Sequence, residues 1–206
     1  MLIYNYMKWQ SLTKKQKIIR VVETALMLAL STILAELPVI SFPFGGSVTI
    51  FSQVPMVVVS YRYGVKWGAF AGLSMGIIQM LFGIGNFAYV SGIVAYLILI
   101  FADYIVAFGA LGFSGMFKNK IKNPVASIAL GAAAVSVIRF LCHFISGVTI
   151  WGDYADGAQA VWMYSLTYNA GYMLPETIIT VVGCVVLASL FDLSSPIIKV
   201  RKAKKD

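Results

Sequence analysis

The chain has 206 residues, of which 60% are hydrophobic and 12% are charged, and its formal net charge is +8 at pH 7. A soluble domain needs a charged shell, and eight acidic with sixteen basic residues cannot supply one around so much apolar surface. Composition therefore excludes an ordinary soluble fold, and the long apolar runs predict an all-α integral membrane protein that forms one membrane domain over residues 1–206.

The basic residues lie in alternate segments between the apolar runs. They precede the first run, separate the second run from the third and the fourth from the fifth, and follow the last, so that only Arg139 lies inside a run. Because short loops rich in Lys and Arg stay on the cytoplasmic side, this pattern predicts six transmembrane helices with both termini cytoplasmic. The positive charge is then expected to face anionic lipid, which argues against a nucleic-acid partner.

Six apolar segments are expected to form helices between two basic cytoplasmic tails. The helices are predicted over about 18–36, 49–63, 65–83, 89–116, 124–147 and 170–192, and the tails over 1–17 and 193–206. Gln53 and Pro55 interrupt the second segment, which we therefore expect to be a kinked or partly unwound helix that lines a cavity. No small-residue cleavage site follows the basic N-terminal region, so the first helix is interpreted as retained and not as a signal peptide.

Two small residues mark one face of the first helix. Ala25 and Ala29 lie four positions apart, and small side chains at this spacing let another helix approach closely. From the residues alone, packing within the bundle is favoured over a docking face for another membrane subunit, and both remain open.

Residues that could support catalysis are few. The chain has one histidine and two cysteines, Cys142 and Cys184, which lie inside predicted helices without CxxC spacing. It contains no HExxH motif and no G-x-x-x-x-G-K-[ST] phosphate loop. We therefore expect no metal site, no cofactor and no enzymatic activity, and no ATP hydrolysis through such a loop.

Two charged residues, Asp103 and Arg139, are predicted at comparable depth within the fourth and fifth helices. A buried charge is costly in a bilayer, so each of them requires a partner or a function. One interpretation is an ion pair between the two residues, and the other is that Asp103 faces a cavity and neutralises a cationic ligand. The two interpretations are compatible, because one carboxylate accepts from more than one donor.

The segment His143–Glu176 differs from the rest of the chain because it is both aromatic and polar. It contains the only histidine, two of the four tryptophans and four tyrosines. Aromatic faces with a few hydrogen-bonding groups are typical of pockets for flat, cationic, heteroaromatic ligands. We therefore predict that His143 and Trp151 contact a small molecule, whereas Trp162 is favoured as an anchor at the membrane interface.

Several stretches of the chain resemble the thiamine-specific substrate-binding (S) components of energy-coupling factor (ECF) transporters, the ThiT/YuaJ-like proteins. These stretches are FPFGGSVTI, SYRYGVKWGAFAG, ADYIVAFGALG, RFLCHFISGVTIWGDYADG and WMYSLTYNAGYMLPE, and the resemblance extends from Val21 to Leu190. It implies a six-helix bundle in the bacterial plasma membrane that captures thiamine from outside the cell with high affinity. It also implies two kinds of partner, a transmembrane coupling (T) subunit and two ATPase subunits that supply the energy.

The resemblance also assigns roles to individual residues. Seven residues are expected to contact the ligand: His143, Trp151, Tyr164, Asn169, Asp103 and Tyr104, with the backbone of Gly147. Ala25 and Ala29 are expected to face the coupling subunit. Some members have a tryptophan in the first outer loop, where this chain offers Phe42 and Phe44. The outer loops, Pro38–Ser47 and Trp151–Tyr168, are expected to close over the ligand.

Two other functions remain open at this point. The same architecture could bind another vitamin or a thiamine precursor, which only the ligand would distinguish. A stand-alone ion-coupled secondary transporter would show repeat symmetry and an ion-binding group of carboxylates, and the sequence shows neither. Thiamine capture is the favoured prediction.

Overall fold

The computed structural model describes residues 12–155, 157, 159–195 and 198–201. The helices are α1 (Lys14–Ala35), α2 (Val54–Tyr63), α3 (Val65–Phe82), α4 (Ile93–Phe117), α5 (Pro124–Thr149) and α6 (Val161–Leu190). Short strands pair as β1 (Pro38–Ser41) with β2 (Ser47–Thr49), and as β3 (Phe191–Asp192) with β4 (Lys199–Val200). The fold is mostly helical, as predicted, and these two small hairpins are the exception to the all-α expectation.

Five of the described helices are long and apolar enough to cross a bilayer. The exception is α2, which has ten residues and a length of about 15 Å. It begins at Val54 instead of the predicted 49, because the preceding residues form β2 and a turn. Pro55 lies in its first turn, where the missing N–H leaves no hydrogen bond unmade. The count of six spans and the cytoplasmic position of both termini stay predictions.

The largest difference from the predicted boundaries is at α6, which begins at Val161 instead of 170. The sequence predicts a loop there because the segment is polar. Ser165 and Asn169, one turn apart, are buried on one face, while Trp162 is exposed on the other. The polar residues therefore belong to a helix whose polar face points inward. Of the predicted closing loop Trp151–Tyr168, the part from Val161 onward forms the first two turns of α6.

The other helix boundaries differ less. α1 begins at Lys14 instead of 18, because Thr13 and Gln16 form a capping box that satisfies its first free backbone N–H groups. α4 begins at Ile93 instead of 89, because Ile84–Tyr89 forms 3₁₀ turns that end before it. α3 and α5 end within two residues of the predicted positions. The predicted tails, 1–17 and 193–206, lie partly outside the described residues.

Close packing of α3 against α4 fixes the segment of α4 that carries Asp103. A Cβ atom on Gly72 would lie 2.6 Å from the carbonyl oxygen of Phe108, and one on Gly76 would lie 2.7 Å from that of Tyr104. The middle of α4, Leu99–Val106, is a π-helix, which is rare and frequent at functional sites. Gly72 and Gly76 thus let the backbone of α4 approach α3 closely at the depth of Asp103.

The two small residues of α1 do not face the bundle interior. Ala25 and Ala29 are both exposed, whereas Thr24 and Ser31 are the buried positions of this helix. Packing of these alanines inside the bundle is therefore wrong. Their contact with a coupling subunit stays a prediction.

Basic residues gather at one side of the bundle, here called the basic end. Helix termini there carry Lys14, Arg62, Lys66, Lys118 and Lys122. Arg62 of α2 forms an ion pair with Glu23 of α1 at 2.5 Å and donates to the carbonyl oxygen of Leu193 at 3.0 Å. These contacts join three parts of the chain at the basic end, and the helix ends on the opposite side surround a cavity.

Candidate ligand-binding site

A cavity of about 490 Å³ lies between the β1–β2 hairpin and the helix ends opposite the basic end. Its volume is within the range of small-molecule pockets. The lining includes Ala35 at the end of α1, Gly83 just after α3 and Trp151 just after α5, and it extends inward to Leu111 of α4. All seven residues expected to contact the ligand line this cavity, so the structure brings together every one of them.

Asp103 is the centre of the hydrogen bonding in the cavity. Its Oδ1 lies 2.9 Å from Nδ1 of His143, and its Oδ2 accepts from the Ser146 hydroxyl at 2.6 Å. The indole N–H of Trp151 donates to the same Oδ2 at 3.3 Å. The carboxylate therefore joins α4, α5 and the loop after α5. Among the described residues Asp103 forms no ion pair with Arg139, because its carboxylate faces His143, one turn further along α5.

Trp151 belongs to an aromatic cluster at the mouth of the cavity. Its ring is 9% exposed, and its centroid lies 5.5 Å from that of Phe44. Phe44 also packs against Tyr154, at 4.3 Å, and Tyr89, at 5.3 Å. Phe44 is therefore the first-loop aromatic residue next to Trp151. Trp162 is 52% exposed on the outer face of α6, away from this cluster.

The polar face of α6 forms the opposite wall. The Asn169 amide donates to the carbonyl oxygens of Ser165, at 2.8 Å, and His143, at 3.2 Å, and its Oδ1 accepts from the Tyr172 hydroxyl at 2.8 Å. Asn169 is 3% exposed, so these bonds fix the amide within the wall. Tyr164 lies two turns before Tyr172 and lines the same wall.

Gly147 and Tyr104 have structural surroundings that explain their positions. A Cβ atom on Gly147 would overlap the hydroxyl of Ser165 and lie 3.2 Å from the Asn169 amide nitrogen, so glycine permits the close approach of α5 to α6. The Tyr104 hydroxyl accepts from the Asn86 amide at 3.0 Å and donates to the Gly83 carbonyl oxygen at 3.2 Å. Tyr104 thus fixes the segment after α3 against the cavity.

Comparison with known proteins assigns the chain to a family. The family model described as "Thiamine transporter protein (Thia_YuaJ)" matches residues 21–194. The chain belongs to this thiamine transporter family. The match confirms the resemblance recognised in the sequence, and it makes the chain a multi-pass membrane transporter and not an enzyme.

Individual members of the thiamine transporter family agree with this assignment. "Thiamine transporter ThiT" of Bacillus subtilis is 36% identical over 203 residues, which cover 93% of this chain and 100% of that protein. "Thiamine transporter ThiT" of Lacticaseibacillus paracasei is 28% identical over 185 residues, covering 85% and 89%. The solved structure of ThiT from Listeria monocytogenes aligns with a TM-score of 0.68 at 24% identity, covering 84% of this chain and 94% of that chain. This structural likeness supports the fold.

The cavity lining also includes residues that the sequence does not predict as ligand contacts, among them Arg139, Tyr168, Tyr172 and Glu176. The three on α6 recur every four residues, in register with Tyr164, so helical periodicity would have identified them had the segment been interpreted as a helix. The sequence predicts Arg139 only as a possible partner of Asp103. Among the described residues its buried Nε and Nη1 have no hydrogen-bond partner, and its guanidinium lies 4.9 Å from the ring centroid of Phe108.

No metal-binding group stands out in the part of the chain that the structure describes. There, no group of three or more His, Cys, Asp or Glu residues could hold a metal ion. Cys142 and Cys184 lie on α5 and α6 as free thiols.

Proposed function

We propose that this chain is the thiamine-capturing S component of an ECF importer, with the cavity as its binding site. The observation that carries the proposal is the convergence of seven expected contact residues on one cavity with a carboxylate at its centre. The family assignment supports thiamine as the ligand.

Electrostatics favours the thiazolium ring of thiamine in this cavity. The ring carries a permanent positive charge, which the carboxylate of Asp103 attracts. This attraction is strong because the interior of the helix bundle has a low dielectric constant and screens charges weakly. Phe44, Trp151 and Tyr154 present aromatic rings to the same region. Each cation–π contact contributes about 0.5–2 kcal/mol, depending on how far the cation is desolvated. We therefore place the thiazolium between Asp103 and this aromatic cluster.

The aminopyrimidine ring requires both donors and acceptors. Tyr164 and His143 offer such groups at the cavity wall, and the side chain of Asn169 is held in place by its internal hydrogen bonds. Nε and Nη1 of Arg139 have no hydrogen-bond partner among the described residues and can donate to ring nitrogens. Ligands without this pattern would leave buried polar groups unpaired, which is how such a site gains specificity.

Transport requires partners that this chain does not supply. With the basic end in the cytoplasm of a bacterium, the cavity opens to the outside, and the β1–β2 hairpin with Trp151 covers it. A T subunit would dock on the exposed face of α1 that carries Ala25 and Ala29, where small side chains permit close helix contact. Two ATPase subunits would supply the energy, in agreement with the missing phosphate loop.

The proposal is tested by titrating the detergent-purified chain with thiamine and following intrinsic tryptophan fluorescence. We expect saturable quenching at sub-micromolar ligand. Trp151→Ala should lose most of the affinity, while Trp162→Ala, a matched control on the lipid-facing side, should retain it. If another vitamin bound in place of thiamine, the proposed architecture would stand and the proposal of thiamine as the ligand would be rejected. Thiamine uptake by the chain alone in proteoliposomes would overturn the dependence on partners and favour an ion-coupled transporter.

A further inference from the structure

We infer that Glu176 is a positioning residue that holds the base of the β1–β2 hairpin and thereby sets the roof of the cavity. Glu176 lies on α6, two turns inward from Asn169, and it also lines the cavity. It is 5% exposed, so its carboxylate is removed from bulk water. A carboxylate buried at this depth requires hydrogen-bond donors.

The donors all come from the end of the hairpin and the turn that follows it. The backbone N–H of Thr49 donates to Oε2 of Glu176 at 2.6 Å, and the Thr49 hydroxyl donates to Oε1 at 2.7 Å. The Gln53 side-chain amide donates to Oε1 at 3.0 Å, and the Ser52 hydroxyl lies 3.2 Å from the same atom. Hydrogen bonds to a charged acceptor are about twice as strong as neutral ones. Glu176 is thus joined to both ends of the segment 49–53.

The turn itself is held in a conformation that needs external support. Phe51 has φ +64°, which is unfavourable for a residue with a side chain. Its ring occupies the space left by Gly183 of α6, where a Cβ atom would lie 2.6 Å from the Phe51 ring. The Ser31 hydroxyl of α1 donates to the Ser52 carbonyl oxygen. α6 and α1 therefore hold the turn, and Glu176 makes the only charged contact in this set.

The tip of the hairpin is held differently. Phe44 touches Trp151, Tyr154 and Tyr89 through ring contacts. The backbone N–H of Gly46 donates to the Tyr168 hydroxyl at 3.1 Å, and that hydroxyl donates to the Pro43 carbonyl oxygen. These ring contacts and neutral hydrogen bonds can separate and reform without leaving a buried charge unpaired. The tip can therefore lift to admit a ligand while the base keeps its charged hydrogen bonds. Glu176 then determines where the roof returns when it closes.

The test compares Glu176→Gln with Thr180→Val. The amide keeps the size of the glutamate but replaces one acceptor with a donor, so one Thr49 donor loses its partner. Thr180 lies one turn further along the same buried face and is 1% exposed, and its hydroxyl has no hydrogen-bond partner in the described part of the chain, so valine is a matched control. In the ligand-free protein, Glu176→Gln should accelerate amide hydrogen exchange in Pro38–Thr49 about tenfold, with α5 unchanged. Thr180→Val should leave hairpin exchange as in the wild type.

The proposal is overturned if hairpin exchange in Glu176→Gln matches the wild type, or if exchange rises equally in α5. If Glu176→Gln does not accumulate, Thr49→Val removes the Thr49 hydroxyl, with its contacts to Glu176 and Ser52, and keeps the backbone N–H donor. This variant should accelerate hairpin exchange about threefold, and unchanged exchange would also overturn the role. The consequence for binding rests on the proposed function. Glu176→Gln should increase the thiamine dissociation rate about tenfold. Failure of the wild type to bind thiamine would reject the function while leaving the exchange result intact.

Discussion

Trp151 donates its indole N–H to the Oδ2 atom of Asp103 across 3.3 Å, so the aromatic ring and the carboxylate are oriented by one another. The same carboxylate is held by His143 and Ser146. A cationic ring placed beside Asp103 therefore meets a tryptophan whose rotation is already restricted. Such preorganisation reduces the entropy lost on binding.

This relationship separates two contributions of Trp151. Trp151→Phe keeps an aromatic face but removes the N–H that orients it, and thiamine affinity should fall about 3- to 10-fold. Trp151→Ala removes both and should lower affinity about 100-fold. Isothermal titration calorimetry on the purified variants measures both values. Equal losses for the two variants would show that the ring face contributes nothing beyond the hydrogen bond.

Removing the charge of Asp103 should affect cationic ligands most. Asp103→Asn keeps the shape of the side chain, and we expect thiamine affinity to fall about 10- to 100-fold because the thiazolium loses its counter-charge. A neutral isostere of thiamine, with an uncharged ring in place of the thiazolium, is the control ligand. The affinity for this neutral ligand should change much less, so the ratio of the thiamine affinity to the neutral-ligand affinity should decrease. A parallel loss for both ligands would indicate that Asp103 acts only by holding His143 and Trp151.

Replacing Arg139 tests whether this residue contributes to thiamine binding or to the stability of the helix bundle. Among the described residues its buried guanidinium lacks hydrogen-bond partners for Nε and Nη1, which favours the substitution Arg139→Met, but Glu176 then loses a favourable charge. The thermal midpoint of the ligand-free protein should therefore change little. Thiamine affinity should fall in the same variant if the guanidinium donates to the ligand. Differential scanning fluorimetry with and without thiamine measures both effects. A lower midpoint in the absence of ligand would show that Arg139 supports the bundle itself.

Gly147→Ala should disturb the contact between α5 and α6. The new methyl group would overlap the Ser165 hydroxyl, and overpacking of this kind destabilises by about 1–3 kcal/mol. We expect a lower thermal midpoint and weaker thiamine binding. Adding Ser165→Gly removes the clashing side chain and should restore part of both. No rescue in the double variant would place the damage elsewhere than in this contact.

Much of the site could be predicted because its residues belong to recognisable stretches of sequence. His143, Trp151 and Asn169 stand in one aromatic and polar segment, and the structure places them around one cavity. The start of α6 could not be predicted from polarity. A helix that borders a lipid-embedded cavity has its polar side inside, so the usual rule that polar segments form exposed loops gives the wrong answer there.

Contacts between residues far apart in the sequence could also not be predicted. Asp103 and Arg139 are at similar depth, but depth does not determine the direction of a side chain, and the carboxylate turns to His143. The contact of Glu176 with Thr49 joins residues 127 positions apart. No local sequence pattern predicts such a contact, because the contact depends on how the β1–β2 hairpin packs against α1 and α6.

The shortness of α2 has an electrical consequence. With the basic end in the cytoplasm, as proposed, its roughly 15 Å, about half of the hydrocarbon thickness, is an upper limit on the distance between the cavity, which reaches Leu111 of α4, and the inner surface. When water fills the cavity, most of the membrane voltage falls across this inner half, where moving one charge corresponds to about 2.3 kcal/mol per 100 mV. Capture of a cation in the cavity is then nearly indifferent to voltage, and the inward step carries the voltage dependence.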